Sequence, residues 1–380
     1  MQKILEAIIF FAVICFFIIL PVSANPSLNQ EIGQMIMIGF DGSTLHQNDP
    51  VVQDIIKKRI GGVVLFDYNY KTKTFDKNVK NPCQLKRLVK QLQSYSAVPL
   101  FVGIDYEGGT AGTRLKPLYG FPKTVSAQYL GSQPLSVTKK YATLMAETLN
   151  REGINLVFAP VVDLNINPNN PVIGKLGRSF SKHPNNVIKS AAIFIDTYKK
   201  YHILCTLKHF PGHGSSIGDT HKGFVDVTNT WQSQELTPYK KLIDTNQACD
   251  LIMAAHIINY SLDSLGHPAS ISYPIITELL RHKLGFKGIV ITDDLQMQAI
   301  TDKYNLETTV KLAIKAGADI LLFGNQLKYQ PRIAQKVIQI VNKLIKQGVI
   351  SKQRIDLSYN RIMALKRKYF ISKHHLHYHA

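Results

Sequence analysis

The stretch Gly288-Ile289-Val290-Ile291-Thr292-Asp293-Asp294 decides the fold: a continuous apolar, β-branched run that ends on two carboxylates. Such a run marks a strand covered on both faces, as in a parallel sheet, because neither face alternates to polar. The same form recurs at residues 35–40, 62–66, 100–105, 156–162, 204–209, 251–256 and 319–323. Longer amphipathic stretches separate these runs. Over 136–151, Val137, Tyr141, Leu144, Met145 and Leu149 return at helical spacing, with Gly153 placed to stop the helix. Residues 306–316 read the same way, with Gly317 as the stop.

Eight such units predict an α/β fold, a single TIM-like (β/α)8 barrel over most of residues 31–330, followed by helices at 333–347 and 351–368. A doubly wound open sheet shares this periodicity. The polar residues favour the barrel. Asp105, Glu107, Asp163, Lys208, His209, His256, Asp293 and Asp294 fall at or just past strand ends, and the C-terminal face of a barrel carries its active site. No Gly/Ser-rich linker divides the chain, and the Pro/Asn cluster at 165–171 reads as a loop inside one unit.

The N-terminus points to a compartment. Lys3 precedes an almost wholly apolar run from Ala7 to Val22, and Val22-Ser23-Ala24 sets small residues where a signal peptidase cuts. That run is short for a membrane span, and Cys15 lacks the small residue before it that a lipoprotein site requires. The expectation is a signal peptide at 1–24 and a barrel domain at 25–380 with C-terminal helices and a short His-rich tail. The mature protein is then exported to the periplasm or beyond, with no membrane span left after cleavage. The alternative is an uncleaved N-terminal anchor.

The 380-residue chain carries a net charge of +19. The excess favours an anionic partner, yet the basic residues are scattered and no zinc-finger spacing or RNP-type motif accompanies them, so nucleic acid is not expected. A polyanionic envelope or simply a solvated lysine surface suits the charge. Cys83, Cys205 and Cys249 remain after the signal, and this odd number without a Cys-x-x-Cys pair reads as three buried or free thiols. The histidines at 374, 375, 377 and 379 read as a solvated end, because nothing near them sets a ligand geometry.

The segment Lys208-His209-Phe210-Pro211-Gly212-His213-Gly214-Ser215-Ser216-Ile217-Gly218-Asp219-Thr220-His221 carries the most chemistry. Lys208 and His209 leave a strand end as donors suited to sugar hydroxyls. Asp219 and His221 are two apart, so in an extended stretch they share a side, and a carboxylate beside an imidazole makes a general acid/base. A metal site of His209, His213 and His221 is the competing reading, but the spacing matches neither His-Glu-x-x-His nor the deaminase pattern. No metal or cofactor is expected, and chelation should leave turnover unchanged. Asp293 and Asp294, as neighbours in extended chain, should point apart, one into the pocket and one into the loop. Asp105-Tyr106-Glu107-Gly108-Gly109 is a third strand-end cluster, and Arg178 in Gly177-Arg178-Ser179-Phe180 has the fork that binds a hydroxyl pair or a carboxylate.

Together with Met253-Ala254-Ala255-His256 and Thr292-Asp293-Asp294, these motifs resemble, in order, the landmarks of the bacterial β-N-acetylglucosaminidase branch of glycoside hydrolase family 3. The resemblance implies a retaining exo-hydrolase that releases terminal β-linked N-acetylglucosamine from cell-wall fragments or chitin-type sugars. By the same resemblance Asp293 is the nucleophile and His221, oriented by Asp219, is acid then base. Asp105, Arg178, Lys208 and His209 hold the sugar. Three features depart from the family pattern: Thr110-Ala111-Gly112-Thr113 before Arg114, Ser215 where aspartate is common, and the export signal. A family 3 β-glucosidase and a catalytically silent glycan-binding barrel are the other readings.

Overall fold

The computed structural model describes residues 25–326 and 328–371; the signal-peptide reading and the His-rich tail lie outside the described residues. All eight expected strands form: β1 Ile36–Gly39, β2 Gly62–Leu65, β3 Phe101–Ile104, β4 Leu156–Val157, β5 Leu204–Phe210, β6 Leu251–Ala254, β7 Ile289–Thr292 and β8 Leu321–Phe323. They are parallel and lie in the order β7-β6-β5-β4-β3-β2-β1-β8. An Ile291–Ile320 bridge and the Thr292 N–H donating to the Ile320 carbonyl at 3.0 Å close β7 onto β8. The sheet is thus a (β/α)8 barrel rather than an open doubly wound sheet.

The helices are α1 Leu28–Gln34, α2 Pro50–Ile56, α3 Pro82–Ser94, α4 Ala127–Gly131, α5 Leu135–Arg151, α6 Pro184–Lys200, α7 Thr237–Asp244, α8 Gln298–Thr301, α9 Leu306–Ala316, α10 Ile333–Lys346 and α11 Lys352–Lys366. Gly317 ends α9 at φ +107°, a conformation that favours glycine, as its position in sequence requires. Among the described residues no helix is long and apolar enough to cross a membrane.

The strand interiors are buried throughout, and the barrel is packed rather than hollow. Gly103 in β3 makes room for this packing, since a Cβ there would lie 2.7 Å from the Met37 methyl and 2.9 Å from the Phe158 ring. Lys366 of α11 closes the opposite end from the site, donating to Gln34 Oε1 and the Gly61 carbonyl, both at 2.7 Å. Burial pushes its ammonium down to about 7.

Two expectations are corrected here. The fourth strand is shorter than the apolar run 156–162, because Pro160 has no N–H to continue the ladder. The three mature cysteines are not all thiols: Cys205 and Cys249 form a disulfide with Cα atoms 5.3 Å apart, leaving exposed Cys83 free. Cys205 lies in β5 and Cys249 just before β6, and the pairing of Thr206 with Leu251 brings the two together. An odd number of cysteines does not forbid one bridge.

Candidate active site

A cavity of about 1100 Å³ opens at the C-terminal face of the strands. Asp105, Lys208, His209, Arg178, Asp219, His221 and Asp293 all line it, so the barrel gathers every residue to which the resemblance gives a catalytic or sugar-binding role, while Asp163 and His256 stand behind the lining.

One wall is an ion cluster. Lys208 Nζ, almost fully buried, sits 2.8 Å from Asp105 Oδ1 and 2.6 Å from Glu107 Oε1. Arg178 forks onto the same Glu107, with Nε and Nη2 each 2.7 Å from its oxygens, while Nη1 donates to the Val172 carbonyl at 2.8 Å. Of the two partners the sequence left open for the Arg178 fork, a hydroxyl pair or a carboxylate, the fork takes a carboxylate of the chain itself, Glu107. Three of the five guanidinium N–H groups are used this way, leaving two for a ligand. Arg114, displaced along the chain by the Thr110–Thr113 stretch, returns to Asp105 at 3.2 Å. Burial would raise the Glu107 carboxyl, but Arg178 and Lys208 outweigh it and hold it below its ordinary value.

Opposite, β5 delivers His209. Its Nδ1 lies 2.7 Å from Asp163 Oδ2, which assigns that proton to Nδ1 and leaves Nε2 for a ligand. Asp163 also accepts the backbone N–H groups of His209 and His213, at 3.1 and 2.8 Å, and so anchors the start of the glycine-rich loop. His213 is buried, and that burial pushes it down to about 4, so it stays neutral. Among the described residues no three His, Cys, Asp or Glu side chains converge as a metal ion would need.

Glu235 was not legible in the sequence. It accepts the N–H groups of Gly214 at 3.0 Å, Ser215 at 3.3 Å and Gln232 at 3.2 Å, bracing the loop from behind. Burial pushes its carboxyl up to about 7. Its only local signal is the Gln232-x-x-Glu235 capping box, which gives no hint of a contact with residues 214–215.

Asp219 and His221 do pair, with His221 Nδ1 2.8 Å from Asp219 Oδ1, but not through strand alternation. The same carboxylate oxygen accepts the His221 backbone N–H at 2.9 Å, and the Lys222 N–H donates to the Asp219 carbonyl at 2.9 Å. The segment is an Asx turn, in which a short carboxylate side chain replaces a backbone acceptor. Burial would raise Asp219; the His221 N–H groups and ring, with Lys222, bring it below its ordinary value. The imidazole itself is 62% exposed, so Nε2 is accessible.

Both adjacent acids line the cavity, so they do not point apart as extended chain would have them; what differs is their hydrogen bonding. Asp294 Oδ1 accepts the N–H groups of Gln296 at 3.0 Å and Gly324 at 2.8 Å, which commits it to the loop. Burial raises it to about 6. Asp293 has one backbone partner, the Asp294 N–H at 2.8 Å, and otherwise faces the cavity. Burial alone would raise it, but the imidazoles of His256, His209 and His221 outweigh that and keep it below its ordinary value. Imidazoles, rather than Lys208 or Arg178, therefore surround this carboxylate, because those two cations are committed to Asp105 and Glu107. His256 is held in turn by the Asp294 carbonyl at 2.8 Å and the Ser270 hydroxyl at 2.7 Å; the carbonyl can only accept, so Nε2 carries the proton.

The arrangement offers an ionised carboxylate in a cavity, an accessible imidazole oriented by a second carboxylate, and a set of hydrogen-bond donors lining the same cavity. Residues 27–365 match the model described as the glycosyl hydrolase family 3 N terminal domain. The chain is 34% identical over 345 residues to Beta-hexosaminidase A of Pseudoalteromonas piscicida, covering 84% of this chain and 55% of that protein. It is 35% identical over 269 residues to a Beta-hexosaminidase of Tolumonas auensis, covering 70% and 76%. Among solved structures, a glycoside hydrolase family 3 β-N-acetylglucosaminidase from Paenibacillus superposes with a TM-score of 0.81 at 30% identity, over 91% of this chain and 63% of that one. A β-N-acetylhexosaminidase from Beutenbergia cavernae gives a TM-score of 0.79 at 26% identity, over 90% and 99%.

Proposed function

The chain belongs to glycosyl hydrolase family 3, and on that premise we propose that it is a retaining exo-β-N-acetylglucosaminidase acting on cell-wall fragments or chitin-type sugars. One observation carries the reading: Asp293, kept ionised, and the Asp219–His221 pair line a single cavity. Asp293 attacks the anomeric carbon as the glycosidic bond breaks, and His221, protonated, gives its Nε2 proton to the departing oxygen. Asp219 stabilises the imidazolium through Nδ1–H. In the second half, neutral His221 takes a proton from water, the water oxygen attacks the glycosyl–Asp293 ester, and both groups return to their starting states. Asp105, Lys208, His209 and Arg178 hold the sugar hydroxyls. An imidazole in place of a second carboxylate also avoids repelling a leaving group that bears a carboxylate.

Export belongs to the same proposal. The Cys205–Cys249 disulfide supports it, since such bonds persist in oxidising compartments.

A chromogenic N-acetylglucosaminide assayed beside the matching glucoside tests the function, with the anomer of the first product followed by NMR. Turnover of the former with β-product appearing first is expected. Preference for the glucoside would make the protein a β-glucosidase, and binding without turnover would make it a silent glycan-binding barrel.

A further inference from the structure

The residues that carry the Asp219–His221 pair are pinned on both sides. Upstream, the Ser216 carbonyl accepts the Asn167 side-chain N–H at 2.9 Å. Downstream, the Val225 carbonyl accepts the Ile258 N–H at 2.9 Å, and Val225 is buried with Val227, Ala255 and Ile257. Between these anchors the chain bulges into solvent, with Ile217 72% and Phe224 49% exposed. A long exposed segment loses conformational freedom whenever it is held in one place, so something must hold it if His221 is to meet the substrate.

What holds it comes from the barrel unit that follows the proposed nucleophile. The Ala299 N–H, in α8, donates to the Thr220 carbonyl at 3.3 Å. Lys303, just past α8, places its ammonium 4.6 Å from the centre of the Phe224 ring. The start of this unit is tied to the strand end, because the Met297 N–H donates to the Asp294 carbonyl at 2.9 Å. Gly223, at φ +137°, gives the chain the turn that brings Phe224 toward Lys303. Thus the segment bearing His221 rests on the peptide that leaves Asp293.

We propose that Lys303 and Phe224 are positioning residues, whose cation–π contact docks the acid/base segment on α8 and fixes His221 relative to Asp293. This rests on the acid/base reading of His221. Neither residue touches the reacting atoms. Their effect is confined to the fraction of molecules in which His221 is in place, and the contact's own strength bounds it.

The test compares two substrates, N,N′-diacetylchitobiose, whose sugar leaving group needs protonation, and a dinitrophenyl N-acetylglucosaminide, which does not. Lys303→Met should lower kcat/KM for the disaccharide about two- to fivefold, the range of an exposed cation–π contact, and leave kcat/KM for the dinitrophenyl substrate unchanged. The ratio kcat/KM reports the first half-reaction, and the base step of the second is common to both substrates. Lys303→Arg should restore the rate, and Phe224→Leu should reproduce the selective loss. In a His221→Ala background, Lys303→Met should add nothing. Equal losses of kcat/KM on both substrates, or a loss that persists in the His221→Ala background, would overturn the positioning role while leaving the acid/base reading intact. If His221→Ala itself lowers kcat/KM equally for both substrates, the acid/base reading fails and the inference falls with it.

Discussion

The carboxylate of Asp294 accepts the backbone N–H of Gly324 at 2.8 Å, joining the chain just past β7 to the chain just past β8. The fit is close enough that a methyl group at Gly324 would collide with that carboxylate. Asp293, one residue earlier, has no such duty. Two chemically identical neighbours that line one cavity thus have different work: Asp294 braces the barrel mouth through Oδ1, while Asp293 carries a single backbone hydrogen bond.

Asp293→Ala should therefore lower kcat by several orders of magnitude with an unchanged unfolding midpoint, since it removes a nucleophile and little structure. Asp294→Ala should do the reverse. It strands the Gly324 and Gln296 N–H groups and should cost about 1–3 kcal/mol of stability in denaturant unfolding. A slow fluorinated N-acetylglucosaminide followed by peptide mass spectrometry should place the sugar on Asp293. Label on Asp294, or product of inverted configuration, would refute the assignment.

His221→Ala should lower kcat/KM for the disaccharide by about 10²–10⁴-fold, the usual worth of general acid–base catalysis, and kcat/KM for nitrophenyl substrates far less. Asp219→Ala should show the same pattern in milder form, because the imidazole remains but loses the partner of its Nδ1–H. Steady-state kinetics on the two substrate types decides the point. Similar losses on both would indicate a binding role for the pair.

Glu235 predicts a pH effect on stability. Its carboxyl is raised to about 7 in the folded protein, against 4.5 as its ordinary value. A group raised on folding contributes stability that is complete below the unfolded value and is lost as pH rises through the folded one. Glu235→Gln cannot titrate and presents an NH2 group to one of the N–H donors, so it should be less stable than wild type at pH 4.5. That deficit should shrink toward pH 7, with a slope of at most ~1.4 kcal/mol per pH unit. Urea unfolding midpoints across this range are the measurement. A constant difference would show that Glu235 titrates normally.

The export proposal predicts a mature chain beginning at Asn25, outside the cytoplasmic membrane, with the Cys205–Cys249 bond intact. N-terminal sequencing and non-reducing peptide mapping of native protein would show both. A soluble cytoplasmic fraction that retains Lys3 would sink the idea. Replacing both cysteines by alanine should reduce unfolding free energy by up to about 4 kcal/mol, the loop-closure value for a separation of 44 residues.

What the sequence determined by itself is the local part. Apolar runs bounded by glycine and polar residues announced eight strands and their order along the chain, because burial on both faces imposes a composition that each strand carries within itself. The strand-end positions of Asp105, Lys208, His209 and Asp293 followed from the same pattern; that Asp293 and Asp294 both line the cavity and differ in their hydrogen bonds did not. The tertiary structure decided who meets whom. Glu107 and Arg178 are 71 residues apart, and Asp163 and His209 are 46 apart, so no window of sequence contains both members of either pair. Cys205 finds Cys249 only because β5 lies beside β6. Glu235 reaches the glycine-rich loop from a separate turn, and imidazoles from the β5 and β6 units gather round Asp293 as the barrel closes. Even the Asp219–His221 pair, close in sequence, is made by an Asx turn that the loop's anchors permit, rather than by the alternation an isolated extended strand would supply. Closure converts separations along the chain into contacts a few ångströms long, and that conversion belongs to the folded barrel rather than to any one segment of it.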